Sequence, residues 1–294
     1  MKPTPVLRYL VMMLAAALLA SAPAAADSAK AADESLPAHL HDRGSGLPTS
    51  QFGTYVRPGE LLVYPSFESY RDHNFEYDPF EFGFESEGEF KGRYRASEEV
   101  LFLAYGLSDR LAWELEGARL RASLQKAPED LSGMPEEVRQ SGLGHVKTRL
   151  TWRWAEERGR RPELFSYGEV FFPHHKDKIL VGTPDWVFHA GFGAVRGYRW
   201  GTLTFRAGIL FEEASATATD WGEVAVEYLK RLSPHLTLFE SLLVREGDEV
   251  SLVSELQWRL SPHVVLRLND GQGLTSHGFD SEPEVGVLLR FPRR

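Results

Sequence analysis

From residue 60 to the C-terminus, apolar and polar residues alternate in short runs, the period of a β-strand with two unlike faces. In the run 143–154, Val146, Thr148, Leu150, Trp152 and Trp154 share one face, while His145, Lys147, Arg149 and Arg153 share the other. In 202–212, Leu203, Phe205, Ala207, Ile209 and Phe211 oppose Thr202, Thr204 and Arg206. In 250–260, Val250, Leu252, Leu256, Trp258 and Leu260 oppose Ser251, Glu255, Gln257 and Arg259, with Glu249 preceding the run on that second face. Runs of this kind predict twelve strands: 60–70, 92–105, 111–124, 143–154, 163–172, 186–197, 202–212, 222–231, 235–244, 250–260, 264–269 and 284–291. The run 264–269 carries the weakest signal.

The connections between the runs sort by parity. Those after the second, fourth, sixth, eighth and tenth strands are mostly tight, and the sequence Leu-Ser-Pro-His closes two of them, at 232–235 and 260–263. Proline fixes φ and disfavours helix there, which suits a reversal between antiparallel strands. Those after the first, third, fifth and eleventh strands are long. Short turns at one rim, long loops at the other and an even strand number predict an antiparallel up-and-down transmembrane β-barrel of about twelve strands. Charges on a strand's second face must meet water or each other. A closed barrel with lipid outside and a polar lumen provides this and leaves no unpaired edge. Trp113, Trp152, Trp154, Trp258 and Tyr105 fall near the predicted periplasmic ends, and Trp186 and Trp221 near the outer ends, as in aromatic girdles.

Residues 1–26 differ in kind. Lys2 and Arg8 precede the apolar run YLVMMLAAALLA, and Ala24-Ala25-Ala26 offers a small-residue cut before Asp27, the form of a cleaved secretory signal peptide. Residues 27–59 lack a sustained period and are read as a periplasmic N-terminal arm, with a second reading in which residues around 52–56 fold into the barrel as a plug. The outer-membrane barrel then spans 60–294.

Composition narrows the function. Loss of Lys2 and Arg8 takes the formal charge from −9 to −11, which disfavours a nucleic-acid partner. The absence of cysteine removes a disulfide framework, a thiolate metal site and a lipid-anchored N-terminus. After the leader no run of eighteen apolar residues exists, so a helical membrane protein is excluded.

Projected inward, the strands supply Glu114, Glu116, Lys147, Arg149, Arg153, Arg206, Glu223, Glu227, Glu255, Arg259, Arg267, Glu284 and Arg290. Two readings fit them: a selectivity lining whose opposed charges set a transverse field for small polar or zwitterionic solutes, or structural ion pairs filling a narrow barrel. The first outer segment interleaves Glu76, Asp78, Glu81, Glu85, Glu87 and Glu89 with Phe75, Tyr77, Phe80, Phe82 and Phe84, a solvated acidic loop without calcium-loop spacing. His174-His175 point apart and lack a third ligand at matched spacing, so no metal and no cofactor are expected. Ser276-His277 and Ser141 with His145 are the local serine and histidine pairs, neither in a nucleophile motif. A lipid-modifying outer-membrane enzyme is therefore a minor alternative, and no catalytic residue is assigned.

The run SGLGHVKTRLTWRW, the turn YGLSDRL and the segment GLTSHGFDSEPEVGVLLRF resemble the outer-membrane barrels of the MetA-pathway phenol-degradation or "transporter" family, over about residues 60–291. His145 stands where that family carries Asp, and the chain ends Phe291-Pro292-Arg293-Arg294 rather than on an aromatic residue. The resemblance implies an envelope transport role with no catalytic site to carry over. The expected function is an outer-membrane barrel with a channel or transport-like role for small solutes, the alternative a plugged structural or surface-interaction barrel. The expected partners are outer-membrane lipid and lipopolysaccharide, the barrel-assembly machinery and a small-molecule solute.

Overall fold

Strand alternation resolves into twelve antiparallel strands closed on themselves in the computed structural model, which describes residues 36–85, 88–175, 178–212, 220–245, 249–275 and 279–293. Residues 1–35, with the signal peptide, lie outside that set. A 3-10 turn, η1 (Ala38–Leu40), and two short strands, β1 (Leu47–Pro48) and β2 (Tyr55–Val56), precede the barrel. Its staves are β3 (Leu61–Tyr77), β4 (Phe90–Gly106), β5 (Leu111–Gln125), β6 (Glu137–Ala155), β7 (Glu163–Phe171), β8 (Val187–Tyr198), β9 (Gly201–Glu212), β10 (Asp220–Arg231), β11 (Leu236–Arg245), β12 (Glu249–Ser261), β13 (Val264–Gly273) and β14 (Glu282–Phe291). Each pairs with its chain neighbours, and β14 closes on β3 with Phe291 opposite Leu61 and Glu284 opposite Glu68.

Side chains divide as the alternation predicts. Leu150, Phe205, Ile209, Leu242, Leu256 and Leu268 are exposed on the outside, and Arg149, Arg206, Glu255 and Arg267 are buried inside. This apolar exterior over a polar interior inverts a water-soluble barrel, and it suits a bilayer. Trp152, Trp154, Trp186 and Trp258 stand exposed on the same outer surface. Trp113 is held against β6 by donating from Nε1 to Thr148 Oγ1 at 2.9 Å. The side chain of Trp221 lies outside the described residues.

Two features depart from the sequence reading. First, the segments 71–91 and 125–142, expected as long polar loops, are partly strand. β3 and β4 have 17 residues each and β6 has 19. About 9–11 residues cross a bilayer when tilted, so these staves continue beyond it on the long-loop side. What holds them upright is a second apolar cluster in which Tyr77, Leu124, Met134, Leu180 and Val181 pack with Phe75, Phe82, Phe84 and Tyr94. Phe75, Tyr77, Phe82 and Phe84 of the acidic segment thus pack together while Phe80 stays exposed, and Glu76 pairs outward with Lys91 at 2.9 Å. Glu87 lies outside the described residues.

Second, both Leu-Ser-Pro-His segments reverse antiparallel strands as expected, but proline does not close the short turns by itself. At the Leu-Ser-Pro-His turn, Ser233 Oγ accepts from His235 N at 3.2 Å and Leu236 N at 3.1 Å. Ser108 Oγ does the same for Arg110 N and Leu111 N in a turn without proline. Ser261 Oγ accepts from His263 N at 3.2 Å in the other copy. The shared element is a serine hydroxyl that accepts from backbone N–H groups two or three residues on.

Candidate functional site: the occupied lumen

The lumen is filled in layers, and the lowest comes from the N-terminal segment. Residues 36–60 run up inside the barrel from its short-turn rim rather than extending away from it. Leu47 and Val56 are buried against Leu62, Tyr64, Phe102 and Leu288. Phe52 stacks on Phe239, their centroids 5.5 Å apart, beside a second buried group containing Tyr55, Phe165 and Leu229. Glycine makes the close approach possible on the barrel side: a Cβ on Gly197 would overlap the His39 carbonyl, and one on Gly106 would overlap the Arg57 carbonyl.

Ion pairs and carbonyl contacts then fasten this segment to the wall. Arg43 donates to Glu163 at 2.9 Å and to Glu157 at 3.1 Å. Arg153 donates to the Gly46 carbonyl at 2.6 Å and lies 3.2 Å from Glu163. Arg290 donates to Glu60 at 3.0 Å and to the Tyr55 carbonyl at 2.8 Å. Arg259 lines a small cavity of about 60 Å³ at this end, beside Arg43 and Arg290.

At mid-height the tip of the segment, Thr49 to Thr54, meets a ring of charge. Glu114 accepts from Ser50 N at 2.9 Å and Ser50 Oγ at 2.5 Å, and Glu116 accepts from Gln51 Nε2 at 2.9 Å. Arg267, fully buried, donates to Glu255 at 2.6 Å, to the Phe52 carbonyl at 2.9 Å and to Thr54 Oγ1 at 3.2 Å. Arg206 pairs with Glu227 and reaches the Thr49 carbonyl at 3.4 Å. A buried charge is tolerable only when paired and hydrogen-bonded, and here the plug backbone supplies part of what the wall charges need.

Above the tip lies a chamber of about 270 Å³, floored by Ser50, Gln51 and Phe52. One wall, from β5 to β9, carries Lys147 bridging Glu116 at 3.1 Å and Glu169 at 3.8 Å, with His145 between Glu98 at 3.2 Å and Glu116 at 2.6 Å. Arg149 lies over the Tyr167 ring at 3.7 Å. Glu223 lines the chamber next to Arg245, 3.9 Å away. The other wall is acidic. Glu284, Glu68 and Glu98 are direct cross-strand neighbours on β14, β3 and β4, and Glu282 lines the chamber beside them. Glu284 accepts from Tyr64 at 2.6 Å and from Asn269, while Tyr70 donates to Glu68 at 2.5 Å.

All thirteen residues projected inward from the sequence line the lumen or its plug contacts. Those that alternation did not single out are Glu68, Glu98, Glu169, His189 and Glu282. Glu98 sits beside Glu99, which faces the outer surface near Arg121 at 3.7 Å, so composition alone gave no face to choose. For Glu169 the signal existed: Glu163, Phe165, Tyr167 and Glu169 share the inner face of β7.

The outer loops supply two further contacts of note. Asp280 accepts from His73 Nδ1 at 2.5 Å and from His73 N at 2.9 Å, and these bonds hold its carboxyl below the usual aspartate range. The rings of His174 and His175 dock their loop on β6, where His175 Nε2 accepts from Leu143 N at 3.3 Å. Among the described residues no group of three potential metal ligands comes together. Ser276 and His277 lie outside the described residues, and both ring nitrogens of His145 are engaged by carboxylates.

No protein-family model and no curated protein sequence matches the chain. Solved structures do. An outer membrane channel from Pseudomonas putida F1 superposes with a TM-score of 0.59 at 11% identity, over 83% of this chain and 99% of that one. A KdgM porin gives 0.48 at 8% identity, over 78% and 99%. The toluene transporter TbuX of Ralstonia pickettii gives 0.42 at 8% identity, over 81% and 90%. The likeness to the Pseudomonas channel is one of fold, and it agrees with the barrel expected from the strand pattern and the family resemblance.

Proposed function

We propose that the chain is an outer-membrane barrel with a channel-type role for small polar solutes, closed at rest by its own residues 36–60. The observation that carries this is the open, charge-lined chamber above a plug held by side-chain contacts to the wall. A barrel whose only task was structural would gain nothing from charged walls, because replacing buried ion pairs with packed apolar residues is commonly neutral or stabilising. The leader at 1–26 supplies export, and the assembly machinery and lipopolysaccharide are the partners such a barrel meets in its membrane. The exposed outer leucines and tryptophans support that lipid contact.

Planar-bilayer recording of the refolded protein tests the reading. The intact chain is expected to conduct weakly, and deletion of residues 27–58 is expected to raise conductance severalfold. Silence of both proteins under all potentials and salts would remove the channel role and leave the surface-interaction alternative, for which the occupied lumen is the favouring observation.

A further inference from the structure

Not every charge of the chamber is hydrogen-bonded to an opposite one, even where, as for Arg149 between Glu114 and Glu169, carboxylates stand on the neighbouring strands. On the β5–β9 wall, Lys147 is shared between Glu116 and Glu169, and Arg206 is taken by Glu227. Arg149 is only 6% exposed, yet its Nε and Nη2 have no hydrogen-bond partner, and Nε2 of the neighbouring His189 has none either. A buried guanidinium normally places its donors in a fork that matches a carboxylate. On the facing wall the position is reversed. Glu68 and Glu284 take their hydrogen bonds from neutral donors, Tyr70 for the first and Tyr64 and Asn269 for the second. Glu98, which His145 reaches at 3.2 Å, adds a third carboxylate in the same cross-strand row, and Glu282 a fourth beside it, with Arg245 also lining the chamber.

We propose that this chamber binds a small zwitterion, its carboxylate on Arg149 and its ammonium or guanidinium group on the Glu68, Glu98, Glu282 and Glu284 row. The inference deepens the channel reading above and rests on it for its physiological meaning, although the binding itself does not require conduction. A simple anion satisfies Arg149 but faces four carboxylates. A simple cation satisfies the glutamates but leaves the guanidinium donors unpaired and adds a like charge beside them. A neutral solute answers neither wall. Only a molecule that carries both charges meets the two walls at once, and the Tyr70 and Phe279 rings, 6.3 Å apart edge to face, offer an aromatic surface beside the acidic row. Each charge-assisted hydrogen bond is about twice as strong as a neutral one, so the pair of walls discriminates as well as binds.

Isothermal titration of the full chain in detergent micelles, with L-arginine as probe, tests this. L-Arginine should bind with one site per barrel, and agmatine, which lacks the carboxylate, and propionate, which lacks the cation, should bind at least tenfold more weakly. Arg149→Gln and Glu68→Gln should each weaken L-arginine at least tenfold, while Arg149→Lys should retain part of the affinity and report that loss does not come from misfolding. Equal affinity for agmatine or propionate, absence of saturable L-arginine binding, or an unchanged isotherm in both neutral variants would overturn the proposal. Liposome swelling in a neutral sugar separates it from the channel reading: swelling without L-arginine binding rejects the zwitterion site alone, and binding without any flux rejects the channel alone.

Discussion

Arg267 on β13 and Glu255 on β12 face each other at 2.6 Å with both side chains fully buried, and the same guanidinium reaches across to the Phe52 carbonyl at 2.9 Å. One side chain therefore serves two structures at once, the wall and the plug.

Replacing it should separate these duties. Arg267→Met leaves Glu255 buried without its cation, and breaking such a pair costs about 3–5 kcal/mol. Denaturant unfolding of the refolded barrel is expected to show that loss, and bilayer recording is expected to show more frequent opening. The double variant Arg267→Met with Glu255→Leu should recover stability but not plug retention, since the Phe52 carbonyl still lacks its donor.

Plug seating also depends on glycine at the wall. Because a Cβ at Gly197 would overlap a backbone carbonyl of η1, Gly197→Val should lift that end of the segment without replacing a charged residue. The chain has no cysteine, so a single Ser50→Cys gives a clean reporter. Its labelling by a membrane-impermeant maleimide from the short-turn side is expected to speed up at least tenfold in the Gly197→Val background.

The outer loop should respond to acid. The folded value of Asp280 lies below its unfolded value because His73 donates to the charged carboxylate. A depressed acid stabilises only while ionised, so the contact is fully present above the ordinary aspartate value near pH 4 and is lost as pH falls through the lower folded value. A nitroxide on Ser281→Cys should stay immobile from pH 7 to about 5 and loosen below about 4, whereas in Asp280→Asn it should be loose throughout.

Membrane contact has a depth signature. Leu256 stands 45% exposed on the outer face of β12, and Trp258 follows it toward the short-turn rim at 54%. An arginine near the bilayer midplane costs about 2–4 kcal/mol and one near the interface about 0–1. Leu256→Arg is therefore expected to destabilise the refolded protein in lipid vesicles by more than Trp258→Arg does, and equal costs would place the membrane elsewhere.

Alternation by itself was enough for the barrel. Placing Leu150 and Trp152 opposite Arg149 and Arg153 requires only a side-chain period of two, a local property that twelve runs display independently. Loop parity likewise follows from chain order, so the short-turn rim could be assigned before any contact was known. The thirteen inward charges came from the same period. What the sequence could not show is where the lumen is occupied. Residues 36–60 carry no period because their side chains answer to the barrel wall and not to each other: Ser50 is positioned by Glu114, Arg43 by Glu157 and Glu163, and Thr54 by Arg267, at separations of 64, 114, 120 and 213 residues. Nor could it separate paired from unpaired charge. Lys147 and Arg149 are neighbours on one inner face, yet only the pairing of β6 with β5 and β7 gives Lys147 two carboxylates and leaves two nitrogens of Arg149 without a partner. Pattern is a short-range property of the chain, and the chamber exists only once β14 has met β3.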